Sequence, residues 1–97
     1  MIEEAKEVAE LLKVLANENR LLAVCYLIDK PMTVSELNSK LNHLTQSALS
    51  QHLSVLKAHK ILELNKNGLN IVYSIRDERV IKLIQCLKDT YCEINLK

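Results

Sequence analysis

The chain changes its hydrophobic period after Leu56 and changes it back after Asp77, and that switch limits the folds open to it. Up to there, apolar residues recur about three and four apart: Ala5, Val8, Leu12 and Leu15, then Leu21, Leu22, Cys25 and Ile28. Val34, Leu37 and Leu41 continue the pattern, followed by Leu49, Leu53 and Leu56. This is the spacing of helices that each turn one stripe to a core. From Leu62 the period is two. Leu62 and Leu64 alternate with Glu63 and Asn65, and Ile71, Tyr73 and Ile75 alternate with Val72 and Ser74. Between these runs stands Asn67-Gly68, a hairpin signal because both positions tolerate positive φ. Beyond Asp77 the helical period returns with Val80, Ile84, Leu87 and Tyr91.

Capping residues set the boundaries. Asn17 is placed to cap a second helix with Arg20 to Ile28 as its body, and Pro31 ends it. Thr33 with Glu36 three residues on has the form of a capping box. Thr45 and Asp77 precede the fourth and last helices. The turn Asn42-His43-Leu44 is short enough to hold the third and fourth helices at a steep angle. The order predicts a mainly α fold with a β-hairpin wing, a winged helix-turn-helix, in a single domain over residues 1–97. A 97-residue chain has a small core and gains by pairing with a copy of itself. No apolar run is long enough to span a bilayer, so no membrane association is expected. The N-terminus MIEEAKEVAE lacks the apolar segment of a signal peptide. We therefore expect a cytoplasmic protein with its three cysteines reduced at rest.

A net charge of +1 decides nothing about partners, but its distribution does. Glu3, Glu4, Glu7, Glu10 and Glu18 outweigh Lys6, Lys13 and Arg20 near the N-terminus. In the middle, Lys40, Lys57, Lys60 and Lys66 outweigh Glu36 and Glu63, and His43, His52 and His59 lie in the same stretch. There the fourth helix opens with short uncharged groups, Thr45, Gln46, Ser47, Ser50 and Gln51. A helix N-terminus aims N–H groups at a phosphate, and Gln pairs with the N6 and N7 groups of adenine. His52 and Lys57 on the same helix, with Lys66 and Asn67 on the hairpin, complete the expected DNA-contacting set. The residues alone leave open a protein-interaction module of the same shape. An enzyme has little support. There is no Gly-rich phosphate loop, no carboxylate pair on a shared helix face beside a plausible pocket, and no histidine on the terminal helices with the cysteines. No cofactor is expected.

The stretch LLKVLANENRLLAVCYLIDKPMTVSELNSKL, with TQSALSQHLSVLKAHKI and the strand IVYSI, resembles the ArsR family of bacterial transcriptional repressors over nearly the whole chain. The resemblance implies a homodimer on an imperfect palindrome of double-stranded operator DNA, released by an inducer. It also implies a dimer interface from the first and last helices: Val8, Leu12, Val80, Ile84, Leu87 and Tyr91. Metal-sensing relatives carry a cysteine pair near the third helix, absent from TVSELNSKL. Others carry histidines in the last helix, where Asp77, Arg79, Thr90 and Glu93 stand here. No metal site is expected, since zinc favours nitrogen and sulfur donors, although a metal-responsive repressor with unforeseen ligands stays as an alternative.

AVCYLID and LKDTYCEIN resemble the thiol-switch branch of that family, the BigR and HlyU type. Taken alone, Cys25 reads as a buried apolar filler. The resemblance instead implies that Cys25 and Cys92 form a redox pair, joined as a disulfide or polysulfide by reactive sulfur species. Cys86 has no counterpart and reads as a bystander. One departure concerns AHKI, where relatives carry Gly before the apolar residue. Either Lys60 adopts a left-handed conformation, at about 1 kcal/mol, or the turn differs.

Overall fold

The computed structural model describes residues 1–92, apart from the Cys92 side chain. Helices α1 (Ile2–Leu15) and α2 (Glu18–Asp29) lead to a short strand β1 (Met32–Thr33). Helices α3 (Val34–Lys40) and α4 (Gln46–Ala58) follow, then strands β2 (Leu62–Asn67) and β3 (Asn70–Ile75). The described residues end with α5 (Glu78–Leu87) and a π-helical turn over Lys88–Cys92. This is the winged helix-turn-helix expected from the sequence.

Each expected cap is present in atomic detail. Asn17 Oδ1 accepts from the Asn19 and Arg20 amides at 3.0 and 3.1 Å. Thr33 and Glu36 close a reciprocal capping box. Thr45 Oγ1 accepts from the Ala48 amide and Asp77 Oδ1 from that of Arg79. Arg20 also donates through Nε to the Val14 carbonyl at 2.7 Å, which fixes the bend between α1 and α2.

Three details differ from the sequence reading. First, β1 joins the hairpin as a third strand, in the order β1-β3-β2, with Met32 opposite Tyr73 and Thr33 opposite Val72. Two residues are too few to show an alternation, so no periodicity announced it. Second, the loop residues of the hairpin are Gly68 and Leu69, not Asn67 and Gly68, because Asn67 and Asn70 form the last cross-strand pair. Only Gly68 has positive φ there (+67°), the pattern of a II′ turn with Gly first. Third, the buried residues of α2 are Ala23, Val24 and Leu27, while Leu21, Leu22, Cys25 and Ile28 are half-buried. Helix α2 packs against α1, α4, α5 and β3, so it is apolar on more than one side and a single stripe misjudges it.

The core is aliphatic. Leu37, Leu49, Leu53, Leu56, Ile61 and Leu62 are fully buried. Val80 and Ile84 belong to it as well, at 0 and 1 % exposure. That corrects their place in the expected dimer surface: they are spent inside their own protomer. The exposed part of that surface is Val8, Leu12, Leu87 and Tyr91.

Lys60 has φ +62°, the left-handed conformation. The Ile61 amide reaches back to the Leu56 carbonyl at 3.0 Å and the Lys60 amide to that of Lys57 at 2.9 Å. These are the two bonds of a Schellman motif, with lysine at the glycine position. Lys60→Gly should therefore stabilise the protein by about 0.5–1 kcal/mol, the relieved strain less the entropy of a freer unfolded chain. Thermal unfolding should show a rise of roughly 2–8 °C. Lys60→Ala keeps the β-carbon and should show none.

Candidate nucleic-acid interface and thiol site

The α3–α4 unit is held by side chains the sequence reading passed over. Asn38 Nδ2 donates to the carbonyls of Leu41 (3.3 Å) and Leu44 (2.9 Å), pinning the turn between the helices. His43 Nε2 lies 2.8 Å from Asn19 Oδ1, which ties the same turn to α2. Asn38 sits in a short polar helix where nothing in the pattern separates a staple from a solvated amide. Asn38→Ala should take its donor from the Leu44 carbonyl, while the Leu41 carbonyl keeps the Leu44 amide at 3.1 Å, and destabilise the fold by about 1–2 kcal/mol. Urea denaturation should show a lower midpoint at an unchanged slope.

With the turn fixed, α4 presents its first turns outward. Thr45 is committed as the cap, leaving Gln46, Ser47 and Gln51 exposed and Ser50 half-buried. At 3.6 residues per turn these four fall within an arc of about 140°. Ser54 is exposed in the middle of that arc and extends the surface by a turn. It was missed because it stands inside the apolar run LSVLK. Lys57 is exposed one turn further on. His52 does not belong with this face. It lies about 200° round the helix from Ser50, half-buried on the core flank. No carboxylate occurs between Glu36 and Glu63, nor between Glu63 and Asp77. Among the described residues none of Lys40, Lys57, Lys60 and Lys66 enters an ion pair. The field over α4 is therefore positive, and Glu63 at the start of β2 is the carboxylate on the wing strands. The strand register sorts the wing: Glu63, Asn65, Asn67, Asn70 and Val72 share one face, and Lys66 lies opposite Ile71 on the other. Lys66 and Asn67 are both exposed.

The thiol site lies between α2 and the end of the chain. Cys25 is half-buried and lines a cavity of about 270 Å³ with Leu21, Ile84, Leu87, Lys88 and Tyr91. Lys88 bolts the final turn to α2. Its Nζ donates to the Cys25 carbonyl at 3.4 Å and stands 3.5 Å from Asp29 Oδ1. Tyr91, on the wall of the cavity that Cys25 lines, is the chain neighbour of Cys92. The Cys92 side chain and Glu93 lie outside the described residues. Cys86 is exposed, and its carbonyl accepts from Thr90 Oγ1 at 2.8 Å.

At the other end of α5, Asp77 and Arg79 satisfy each other. The guanidinium donates to both carboxylate oxygens at 2.9 and 3.1 Å. That hydrogen bonding holds the Asp77 carboxyl below its ordinary range, and the same contact raises Arg79. Among the described residues no group of three or more His, Cys, Asp or Glu side chains is placed to hold a metal.

Comparison with known proteins agrees with this geometry. The profile of the bacterial regulatory protein, arsR family, matches residues 17–63. The transcriptional activator HlyU of Vibrio cholerae is 40% identical over 85 residues, covering 88% of this chain and 78% of the relative. The structure of reduced HlyU from Vibrio cholerae N16961 superposes with a TM-score of 0.89 at 37% identity, covering 95% of this chain and 96% of that one. The repressor BigR from Xylella fastidiosa gives a TM-score of 0.87 at 35% identity, covering 95% and 93%. With its helix-turn-helix, its wing and these relatives, the chain belongs to the ArsR family of DNA-binding transcriptional regulators, close to the HlyU and BigR branch.

Proposed function

We propose that the protein is a homodimeric repressor whose operator affinity falls when Cys25 and Cys92 become covalently linked. The observation that carries this reading is the shared cavity: Cys25 and the neighbour of Cys92 line it together. The relatives supply the DNA-binding context, and one of them, HlyU, has a structure in its reduced form. Reactive sulfur species are the inducer class. A thiolate of one cysteine attacks the terminal sulfur of a persulfide R–S–SH, the S–S bond breaks, and R–S⁻ leaves. The cysteine now carries S–SH. The second thiolate attacks its inner sulfur and expels HS⁻, closing a disulfide. A trisulfide takes a second persulfide equivalent. The dimer would pair the exposed Val8 and Leu12 of α1 and the Leu87 and Tyr91 region with a second copy, covering apolar surface one protomer leaves in water.

DNA reading is assigned to Gln46, Ser47, Ser50, Gln51 and Ser54 on α4, with Thr45 as its cap and Lys57, Lys66 and Asn67 at its flanks. A dimer sets two such helices in successive major grooves about 34 Å apart. The test starts with a duplex selected from random sequence by the reduced protein. Gln51→Ala should weaken binding to it by about 5- to 100-fold and barely change binding to random DNA. Lys66→Ala should weaken both and lower the salt slope by about one. Equal losses on selected and random DNA for the glutamine variant would remove it from base reading. Binding that ignores salt would count against the whole surface.

A further inference from the structure

The wing tip carries a combination that plain solvation does not call for. Leu69 is fully exposed at the apex of the hairpin, 103 % by accessible area. A single exposed leucine is unremarkable by itself. Its company is not: Asn65, Asn67 and Asn70 share one face of the two strands, with Asn67 and Asn70 directly opposite each other. Glu63 stands on that face at the end of β2 far from the tip, and Lys66 supplies a positive charge on the opposite face of the hairpin. The opening is narrow, because a two-residue loop starts at Gly68 and only one of its residues has a side chain.

We propose that this tip is a minor-groove reader that selects A·T pairs, with Leu69 as the discriminating residue. The proposal rests on the DNA-binding reading above. The minor groove is about 6 Å wide, and its floor offers adenine N3 and thymine O2 as acceptors. Asparagine Nδ2 groups donate to them. Amides alone do not discriminate, because asparagine Oδ1 also accepts from the guanine 2-amino group. The leucine does. Pressed to the floor, it covers the purine N3 and pyrimidine O2 acceptors of A·T and G·C alike, at a cost common to both. It covers the guanine amino group without offering an acceptor, which strands a donor away from water. Lys66, beside the tip, serves the phosphates that border the groove.

The experiment uses the full-length reduced protein on its selected duplex, with a footprint to locate the pairs under the wing. Those pairs are made A·T, G·C, inosine·C, or 2,6-diaminopurine·T. Inosine removes the minor-groove amino group of guanine, and diaminopurine adds it to adenine. Binding to A·T and inosine·C should be alike. G·C and diaminopurine·T should each bind about tenfold more weakly, the size of a single mismatched pair. Leu69→Ala should bring the four duplexes within about twofold of one another, and its solvent position means the fold is kept. Equal affinity for G·C and inosine·C, on a duplex the protein otherwise binds tightly, overturns the proposal alone. So does full discrimination by Leu69→Ala. Failure to select any duplex overturns the DNA-binding reading, and this proposal with it.

Discussion

Treated with glutathione persulfide, the reduced protein should lose its selected duplex by about 30- to 150-fold in affinity, a coupling of about 2–3 kcal/mol. Cys25→Ser and Cys92→Ser should each bind like the reduced protein and keep binding after treatment. Cys86→Ser should respond fully, because Cys86 is exposed and does not line the cavity with Cys25. The size follows from where a bridge would pull. Lys88 already holds the final turn against α2, so a bond between the two regions would tighten an existing contact. Helix α5, directly before that turn, packs on α2 and β3, so the pull reaches both the core and the wing. A direct disulfide requires Cα atoms within about 7 Å, and a trisulfide tolerates more. Mass mapping of the linked peptides would show which forms. Release of DNA by treated Cys92→Ser would end the two-thiol account.

The second large effect concerns Ile84→Asp. Ile84 is 1 % exposed, among Leu21, Leu87 and their neighbours. A carboxylate there has no partner, and the penalty should exceed about 4 kcal/mol. Against a total of about 5–15 kcal/mol for a domain, that should lower the melting temperature by at least about 15 °C. Leu12→Asp separates folding from pairing. Leu12 is 47 % exposed, so the charge stays hydrated in the monomer and the fold should survive. If α1 meets a second copy, that variant should sediment as a folded monomer. A Leu12→Asp protein that sediments as a dimer would put the interface elsewhere.

Much of this architecture was legible because its signals are local. Thr33 with Glu36, Asn17, Thr45 and Asp77 act within four residues, and each caps the helix the sequence suggested. Leu49, Leu53 and Leu56 face inward because α4 has one core side. What sequence did not show depends on neighbours distant in the chain. The two-residue β1 exists only because β3 is there to pair with it. Helix α2 is surrounded, so its Ala23 and Val24 are buried more deeply than Leu21 and Leu22. Asn38 staples a turn whose carbonyls are placed by tertiary structure. His52 joined the polar set by proximity in sequence, where the helical angle decides. At Lys60 the missing glycine left two readings open, and the structure holds the left-handed one.

Thr33 does two jobs at once. It pairs with Val72 in the sheet and caps α3 through Glu36. One residue therefore clasps the middle of β3 to the helix that leads into α4, so the parts that would touch DNA form a single jaw. Under the proposed thiol switch, a pull that reaches the wing would move such a jaw as a whole, and the quantity regulated would be the gauge of a calliper rather than the shape of its teeth.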